Sequence, residues 1–243
     1  MNRFAGSKVF VTGAGSGIGR AVAARLASEG ASVVGVDLTT DPIETEMKMV
    51  CDVTDPEAVR ASVDRAVELL AGLDIVLNVA GIGHFCNSHE ETPEAFAKTI
   101  DVNLNGTFHV CRYALPHLLA NGERGGTIVN TASTAGMMGQ AWSAAYCASK
   151  GGVVLLTKAL AYEYRNRNIR VNAVAPGGVN TPIAGSFGES FPRDADLKLT
   201  HKIITPMGMV EPDEMANAFA FVASPEARYM TGSIVAMDGG LTA

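Results

Sequence analysis

Apolar runs rich in β-forming residues alternate with amphipathic helical patterns along the whole chain, and this alternation restricts the fold more than any other feature. Strand-like runs occupy residues 8–12, 32–37, 47–51, 75–77, 127–130, 169–174 and 233–236. Helical patterns occupy residues 19–30, 56–70, 93–119, 143–166 and 212–223. Strands separated by helices form βαβ units with right-handed crossovers. The pattern predicts an α/β fold, a mostly parallel sheet with helices on both faces.

The domain organisation follows from what is missing between these patterns. No Pro/Gly/Ser-rich linker and no internal repeat interrupts the 243 residues, so we expect one domain over 1–243. Apolar residues make up 47% of the chain, which is enough for a sizeable core. Residues 177–209 are rich in Gly, Pro and Thr and fit no element. Because a connection this long is usually functional, we expect residues 180–209 to form a substrate lid.

The charge and hydropathy patterns exclude several classes of protein. Lys and Arg number 19 against 25 Asp and Glu, a net charge of -6 that argues against nucleic-acid binding. Residues 1–8 contain no apolar core of a signal peptide, and no run approaches the ~18 apolar residues of a membrane helix. We therefore expect a cytoplasmic protein without a membrane or nucleic-acid partner.

The cysteines and histidines do not have the spacing of a metal site. The four cysteines form no CxxC pair and are expected to be free thiols. His84, Cys86 and His89 are close in sequence, but they match neither zinc-finger nor HExxH spacing. No metal is expected.

A glycine-rich turn, TGAGSGIG at residues 12–19, follows the first strand-like run. It lacks the strict GxGxxG register, but its small residues let the backbone approach a pyrophosphate at the N-terminus of the next helix. Asp37 ends the second strand, where a dinucleotide-binding fold places the acid that holds the adenosine ribose. Asp37 would repel a 2′-phosphate, so we expect NAD rather than NADP. The alternative is a plain glycine-rich turn beside an ordinary surface carboxylate.

A catalytic group is predicted around Tyr146 and Lys150, which lie four positions apart and one helical turn from each other. A nearby ammonium lowers the pKa of a phenol, and a drop of ~3 units from ~10 would make Tyr146 a proton shuttle near neutral pH. Ser133 follows a strand and lies at the carboxyl edge of the sheet, where ligands bind. A half-exposed Tyr–Lys pair is the alternative.

Two further features have two interpretations each. Gly151 and Gly152 lie inside a helix, which indicates close approach of a ligand or another backbone, or tight helix packing. Asn103 is a poor helix former in the middle of a helical region. It marks either a kink that frees a backbone carbonyl for water or a short break in the helix.

Together these motifs resemble the short-chain dehydrogenase/reductase family along essentially the whole chain. The resemblance rests on TGxxxGxG, on Asn78-Val79-Ala80-Gly81, on Asn103, Ser133 and Tyr146-x-x-x-Lys150, and on Pro176-Gly177. One position departs from the family pattern, because the family usually has a second Asn where this chain has Val79. The resemblance implies a single-domain Rossmann-type doubly wound parallel sheet of about seven strands.

The resemblance also implies roles for individual residues. Tyr146 would be the general acid/base, Ser133 a hydrogen-bond donor to the substrate oxygen, and Lys150 a tuner of Tyr146 that also holds the nicotinamide ribose. Asn103 would anchor a water in the proton relay. The cofactor-binding residues would be Gly13, Ser16, Gly17, Ile18, Gly19, Asp37, Asp52, Val53, Asn78, Ala80, Gly81, Tyr146, Lys150, Pro176, Gly177, Val179 and Thr181. The helices around Asn103 and Tyr146 would form the interface of a homotetramer or homodimer.

The residues expected around the substrate are mostly apolar, which suits a hydrophobic or cyclic secondary alcohol or ketone. Besides Ser133 and Tyr146, they are His84, Phe85, Met137, Met138, Trp142, Ile183, Phe187 and Phe191. The alternative activity is a 3-oxoacyl thioester (acyl carrier protein) reductase, which usually takes NADPH and needs a basic docking surface. A dinucleotide-binding sensor without turnover is the alternative from another class.

Overall fold

The computed structural model describes residues 2–243. Its strands are β1 (Lys8–Thr12), β2 (Ser32–Asp37), β3 (Met47–Val50), β4 (Ile75–Asn78), β5 (Gly126–Thr131), β6 (Ile169–Pro176) and β7 (Ile234–Met237). They form one seven-stranded sheet in the order β3-β2-β1-β4-β5-β6-β7. Every neighbouring pair is parallel. The predicted Rossmann-type α/β fold is confirmed.

Seven α-helices connect and cover the strands. They are α1 (Gly17–Ser28), α2 (Pro56–Leu70), α3 (Pro93–Ile100), α4 (Gly106–Ala120), α5 (Ala144–Tyr164), α6 (Pro182–Glu189) and α7 (Pro212–Ala223). Successive strand residues point to opposite faces, so Val9 and Val11 join one core cluster with α1 and α7. Phe10 joins a second cluster with α2, α4 and α5 on the other face. Both faces of the sheet are therefore covered, as a parallel sheet requires.

Helix starts agree best with the sequence prediction where a proline follows a capping residue. Asp55 accepts hydrogen bonds from the backbone of Glu57 and Ala58 and is followed by Pro56, so α2 begins at the predicted residue. Helix α7 likewise begins at Pro212 and ends at Ala223, as predicted.

The long helix predicted over 93–119 is interrupted. Between α3 and α4, Asp101–Asn105 form one π-helical turn, and Gly106 N–H donates to the Asp101 carbonyl. Single π turns of this kind are frequent at functional sites. The extra residue rotates Asn103 into the interior, where its side chain finds hydrogen-bond partners that a straight helix would not offer.

Residues 177–209, in which no element was predicted, contain α6 and a 3-10 turn over Leu197–Lys202. Helix α6 spans only eight residues and includes two glycines, which are poor helix formers. Thr181 caps its first turn and Pro182 occupies its first position. Local capping therefore forms a helix that the hydrophobic pattern did not indicate.

The strand order places the site. β1 lies between β2 and β4, so the chain leaves β1 and β4 toward opposite edges of the sheet. In open α/β sheets, ligands bind at such a switch point, beyond the carboxyl ends of the strands.

Within residues 2–243, none of the helices combines the length and the apolar character that crossing a bilayer requires.

Candidate active site

A cavity of about 1010 Å³ lies at the carboxyl edge of the sheet, over the switch point and under α6. Most of the residues predicted to bind a cofactor line it. These are Gly13, Ser16, Gly17, Ile18, Gly19, Asp37, Asp52, Val53, Ala80, Gly81, Tyr146, Lys150, Pro176, Gly177, Val179 and Thr181. The tertiary structure therefore brings together residues that are separated by more than half of the chain.

The glycine-rich turn needs glycine at two positions because a side chain there would collide with neighbouring parts of the protein. Gly13 has a φ of +69°, and a Cβ there would lie 2.8 Å from the Cα of Ala80. Gly17 has a φ of +48°, and a Cβ there would lie 3.1 Å from the Thr181 methyl group. Both positions require glycine, and the turn leads directly into the N-terminus of α1.

The Asp37 carboxylate lies beside this turn at the end of β2. Gly15 N–H donates to its Oδ2 at 2.9 Å and Leu38 N–H donates to its Oδ1 at 2.7 Å. These two bonds hold the carboxylate at the cavity wall, and each oxygen keeps further acceptor capacity. The carboxylate oxygens at this end of the cavity can thus accept hydrogen bonds from the free hydroxyl groups of an adenosine ribose.

Asn78, which was expected among the cofactor-binding residues, does not line the cavity. Its side chain is buried, and Nδ2 donates to Asn130 Oδ1 at 2.9 Å. Asn130 in turn donates to Thr157 Oγ1 at 2.9 Å. Buried amides pair with each other rather than with a ligand because an unpaired polar group in the core is costly. Asn78 therefore joins β4, β5 and α5.

Tyr146 and Ser133 meet in the middle of the cavity. Tyr146 lies in the first turn of α5, and Ser133 directly precedes the 3-10 turn Thr134–Gly136. Burial raises the pKa of the Tyr146 phenol to about 12, and a hydrogen bond with Ser133 offsets part of this rise. Both hydroxyl groups face the same volume.

Lys150 lies one turn further along α5 and is 3% exposed. Its Nζ donates to the Thr131 carbonyl at 2.8 Å and lies 5.7 Å from the centre of the Tyr146 ring. Burial lowers the pKa of this ammonium to about 8. The pKa of Tyr146 is thus shifted upward by burial rather than downward, and Lys150 is not among the groups that shift it.

Asn103 is fully buried in the π turn and has a full set of protein partners. Its Oδ1 accepts from Ile82 N–H at 2.8 Å, and its Nδ2 donates to the Ile82 carbonyl at 2.9 Å and to Ser149 Oγ at 3.0 Å. The Asn103 carbonyl accepts from the Thr107 hydroxyl at 2.8 Å. The Asn103 side chain therefore fixes the loop after β4 onto α5.

Packing explains Gly152 but not Gly151. A Cβ on Gly152 would lie 2.6 Å from a methyl group of Leu104, so this glycine lets the π turn approach the catalytic helix closely. A Cβ on Gly151 would lie 3.8 Å from the Gly136 carbonyl, an ordinary contact that does not require glycine. Both glycines are absent from the cavity wall.

The predicted substrate residues divide into two groups. Phe187 lines the cavity, with its ring centre 5.2 Å from that of Tyr146 and 4.6 Å from that of Phe85. Phe85 and Ile183 line it as well. Five other predicted residues are absent from the cavity wall: His84, Met137, Met138, Trp142 and Phe191.

Contacts outside the cavity place three of these side chains. His84 Nε2 lies 3.0 Å from Glu91 Oε1, which turns the ring away. Trp142 packs edge-on against Phe191 at 5.2 Å between ring centres. Residues in loops take directions set by their contacts, and sequence position alone does not reveal them.

Several residues that line the cavity were missed, and Gln140, Ile203 and Ile204 are among them. Gln140 is a polar residue in a loop, and nothing in its sequence context distinguishes it. Ile203 and Ile204 follow the 3-10 turn of the lid. Their apolar character within a Gly/Pro/Thr-rich segment was the sequence feature that could have indicated a place in the cavity wall.

Comparison with known proteins agrees with this geometry. A family model described as Enoyl-(Acyl carrier protein) reductase matches residues 13–242. Cyclohexanol dehydrogenase from Acinetobacter sp. (strain SE19) is 38% identical over 257 residues, covering 99% of this chain and 97% of the relative. The chain belongs to the short-chain dehydrogenase/reductase family. It is accordingly an oxidoreductase that acts on alcohol or carbonyl groups with a nicotinamide dinucleotide.

Two further members of the short-chain dehydrogenase/reductase family are similar over nearly the full length. The 3-oxoacyl-[acyl-carrier-protein] reductase FabG of Thermotoga maritima is 35% identical, covering 98% of this chain and 99% of the relative. A short-chain dehydrogenase from Mycobacterium paratuberculosis, solved bound to NAD, has a TM-score of 0.92 at 31% identity, covering 99% of each chain.

Proposed function

We propose that this enzyme transfers a hydride between NAD(H) and a hydrophobic or cyclic secondary alcohol or its ketone. The observation that carries the proposal is the position of the Ser133 and Tyr146 hydroxyl groups. Both residues line the same cavity as the glycine-rich turn and as an apolar chamber formed by Phe85, Phe187 and Ile203. A substrate oxygen can lie between the two hydroxyl groups while the rest of the molecule occupies the apolar chamber.

The cofactor-binding part of the cavity favours NAD. The backbone of residues 13–19 and the N-terminus of α1 would hold the pyrophosphate, and Asp37 would accept from the ribose hydroxyl groups. A 2′-phosphate would bring a second negative group against Asp37, where neither neighbour along the chain is a cation. When bound, the dinucleotide supplies the hydride acceptor or donor.

Side chains of the protein carry out the proton transfer that accompanies hydride transfer. Tyr146 donates a proton to the ketone oxygen during reduction and takes the hydroxyl proton during oxidation, while Ser133 donates a hydrogen bond to the same oxygen. The high pKa of free Tyr146 keeps the phenol protonated, which is the form that reduction requires. Lys150, with a pKa near 8, carries a charge close to neutral pH and would also hold the nicotinamide ribose. Asn103 holds the loop after β4 through its hydrogen bond with the Ile82 backbone.

The substrate class follows from the lining of the chamber. The side chains that form the chamber are mainly aromatic or aliphatic. Gln140, which was not predicted from the sequence, adds a polar amide to this lining. An apolar ring buries well against Phe85 and Phe187. The cyclohexanol dehydrogenase relative supports this class.

A second activity, reduction of a 3-oxoacyl thioester on an acyl carrier protein, is favoured by the similarity to the Thermotoga maritima reductase. Asp37 and the net charge of -6 oppose it, because such a reductase usually takes NADPH and docks an acidic carrier. A sensor that binds the dinucleotide without turnover is opposed by the grouping of Ser133, Tyr146 and Lys150.

We also propose the assembly of the enzyme. Residues 1–243 form one domain with residues 180–209 as its lid, and the protein acts in the cytoplasm as a homotetramer or homodimer. Phe108 on α4 and Leu155 and Tyr162 on α5 support an interface between copies, because they are large apolar side chains that are exposed on adjacent helices. Light scattering would give the mass of the particle.

The test is a spectrophotometric assay of dinucleotide reduction across a panel of cyclic and linear secondary alcohols. We expect turnover of cyclic alcohols with a higher kcat/KM for NAD than for NADP. Tyr146→Phe should fold and bind NAD but lose nearly all turnover. Faster turnover of an acyl thioester with NADPH would favour the second activity, and NAD binding without any turnover would favour the sensor.

A further inference from the structure

Gln140 joins two walls of the substrate chamber that are distant in sequence. Its side chain lines the cavity, and Nε2 donates to the Lys202 carbonyl at 2.7 Å and to Thr134 Oγ1 at 3.3 Å. One amide group thus connects the catalytic turn after β5 with the lid.

Each end of this connection lies next to a part of the site. Thr134 is buried and directly follows Ser133. Lys202 ends the 3-10 turn of the lid and is followed by Ile203 and Ile204, which line the chamber. The bond from Gln140 therefore sets the distance between the Ser133 hydroxyl and the apolar wall of the lid.

The lid is held differently on its other side. There, Phe85 N–H donates to Ser190 Oγ at 2.9 Å, and Asn87 donates to Asp194 Oδ1 at 3.1 Å. Among residues 2–243, the bond from Gln140 to Lys202 is the only hydrogen bond between residues 133–142 and the lid. At this edge, the lid is therefore joined to residues 133–142 by this hydrogen bond and by the packing of Trp142 against Phe191.

We propose that Gln140 is a specificity-determining residue that clasps the lid and limits the length of the substrate. With the clasp formed, the chamber ends between the catalytic turn and Ile203, so a compact ring fits and a long acyl or alkyl chain does not. The inference rests on the proposed function, which supplies the substrate class. It adds the residue that decides between compact and extended substrates.

The first experiment does not depend on turnover. Gln140→Glu keeps the size of the side chain, but a carboxylate cannot donate to the Lys202 carbonyl. Hydrogen exchange of the backbone amides at residues 197–204 should become roughly fivefold faster, the scale of one net hydrogen bond. Asn217→Ala, an exposed amide that accepts from Arg25 on a remote surface, is the matched control and should leave exchange unchanged. Unchanged exchange in Gln140→Glu would overturn the proposal.

The second experiment compares cyclohexanol with 2-decanol as probes. In Gln140→Ala and Gln140→Glu, we expect KM for cyclohexanol to rise roughly fivefold with kcat nearly unchanged, because one positioning bond is lost. The ratio of kcat/KM for 2-decanol over cyclohexanol should rise by a similar factor. A constant ratio would contradict the specificity role. If the parent enzyme oxidises neither alcohol, the proposed function fails, and the exchange experiment still decides whether the clasp exists.

Discussion

At the scale of single residues, the site is organised by two ionisable side chains held away from water. Tyr146 has its pKa raised to about 12 and Lys150 has its pKa lowered to about 8, in both cases by burial. Both shifts favour the uncharged form of the side chain, so Tyr146 is a neutral phenol near neutral pH. The ammonium is nevertheless retained by its bond to the Thr131 carbonyl.

Replacing Lys150 should stabilise the free protein while removing activity. Because its pKa falls from 10.5 to about 8 on folding, the unfolded chain binds more protons between these values, and stability rises with pH there. At pH 7, burial of the charge therefore costs roughly 3 kcal/mol. Lys150→Met removes this cost and loses a hydrogen bond worth ~1–3 kcal/mol. We expect a net gain of ~1 kcal/mol at pH 7.

Urea unfolding at pH 7, 9 and 10 would measure this effect. The advantage of Lys150→Met should shrink as pH rises towards 10, because the parent then no longer buries a charge. Lys158→Met, an exposed position on the same helix, is the control and should show no such pH dependence. An advantage that grows with pH would contradict the account.

Asp37 should control the choice between the two dinucleotides. Asp37→Ala removes the acceptor for the ribose hydroxyl groups and the charge that opposes a 2′-phosphate. Because hydrogen bonds to a charged group are worth ~1.5–3 kcal/mol, the NAD/NADP ratio of kcat/KM should fall roughly tenfold or more. Steady-state kinetics with both cofactors would measure it, with exposed Asp41→Ala as the control. An unchanged ratio would remove Asp37 from cofactor selection.

At the scale of elements, side chains from the strands fasten the helices and turns that surround the site. Arg170 on β6 donates to the Val222 carbonyl at 3.1 Å, to the Ala227 carbonyl at 3.1 Å and to Thr127 Oγ1 at 3.0 Å. It thereby satisfies carbonyl groups at the C-terminus of α7, where the helix dipole favours a cation. Burial lowers the pKa of this guanidinium.

Removal of Arg170 should loosen α7 from the sheet. Arg170→Met leaves several carbonyl groups without a donor, and we expect a loss of ~3 kcal/mol in the free energy of unfolding. Arg170→Lys keeps the charge but has fewer donors. Its free energy of unfolding should therefore lie between those of the parent and Arg170→Met. Arg60→Met on α2, where the guanidinium is exposed and paired with Glu57, should leave the free energy of unfolding nearly unchanged. Equal effects at the two positions, measured by urea unfolding, would refute the capping role.

At the scale of the whole molecule, a buried ion-pair network joins the beginning of the chain to the end of α1. Glu29 is paired with Arg3 at 2.5 Å and with Arg25 at 2.5 Å. Hydrogen bonding from Arg3, followed by that from Arg25, lowers the pKa of Glu29 to about 2. Arg3 also reaches Glu226 at 3.5 Å, so the network extends to the segment after α7.

This network should dominate the acid sensitivity of the fold. Because the pKa of Glu29 is lower in the folded state, its contribution is present above pH 4.5 and is lost as pH falls towards 2. Glu29→Gln should lower stability by up to ~3 kcal/mol at pH 7, and the difference from the parent should vanish near pH 2. Thermal unfolding between pH 2 and pH 7 would measure it. Glu226→Gln, at the exposed rim, should have a much smaller effect, and a difference that is constant with pH would contradict the assignment.

The amino-acid sequence by itself determined the layers of the molecule and the cofactor-binding edge. Strand and helix periods, proline-capped helix starts and the glycine-rich turn are local signals, because they depend on residues that are near each other in the chain. They predicted the parallel sheet, the ends of α2 and α7, and the grouping of Gly13, Asp37, Ser133 and Tyr146 at one edge.

Only the tertiary structure decided where several side chains point and how the charged groups behave. Asn78 and Asn103 bind other parts of the protein, His84 turns to Glu91, and Gln140 reaches a lid residue 62 positions away. The direction of the Tyr146 pKa shift also depends on burial by distant segments. These properties arise from long-range contacts and from the exclusion of water, neither of which is encoded in the spacing of residues along the chain.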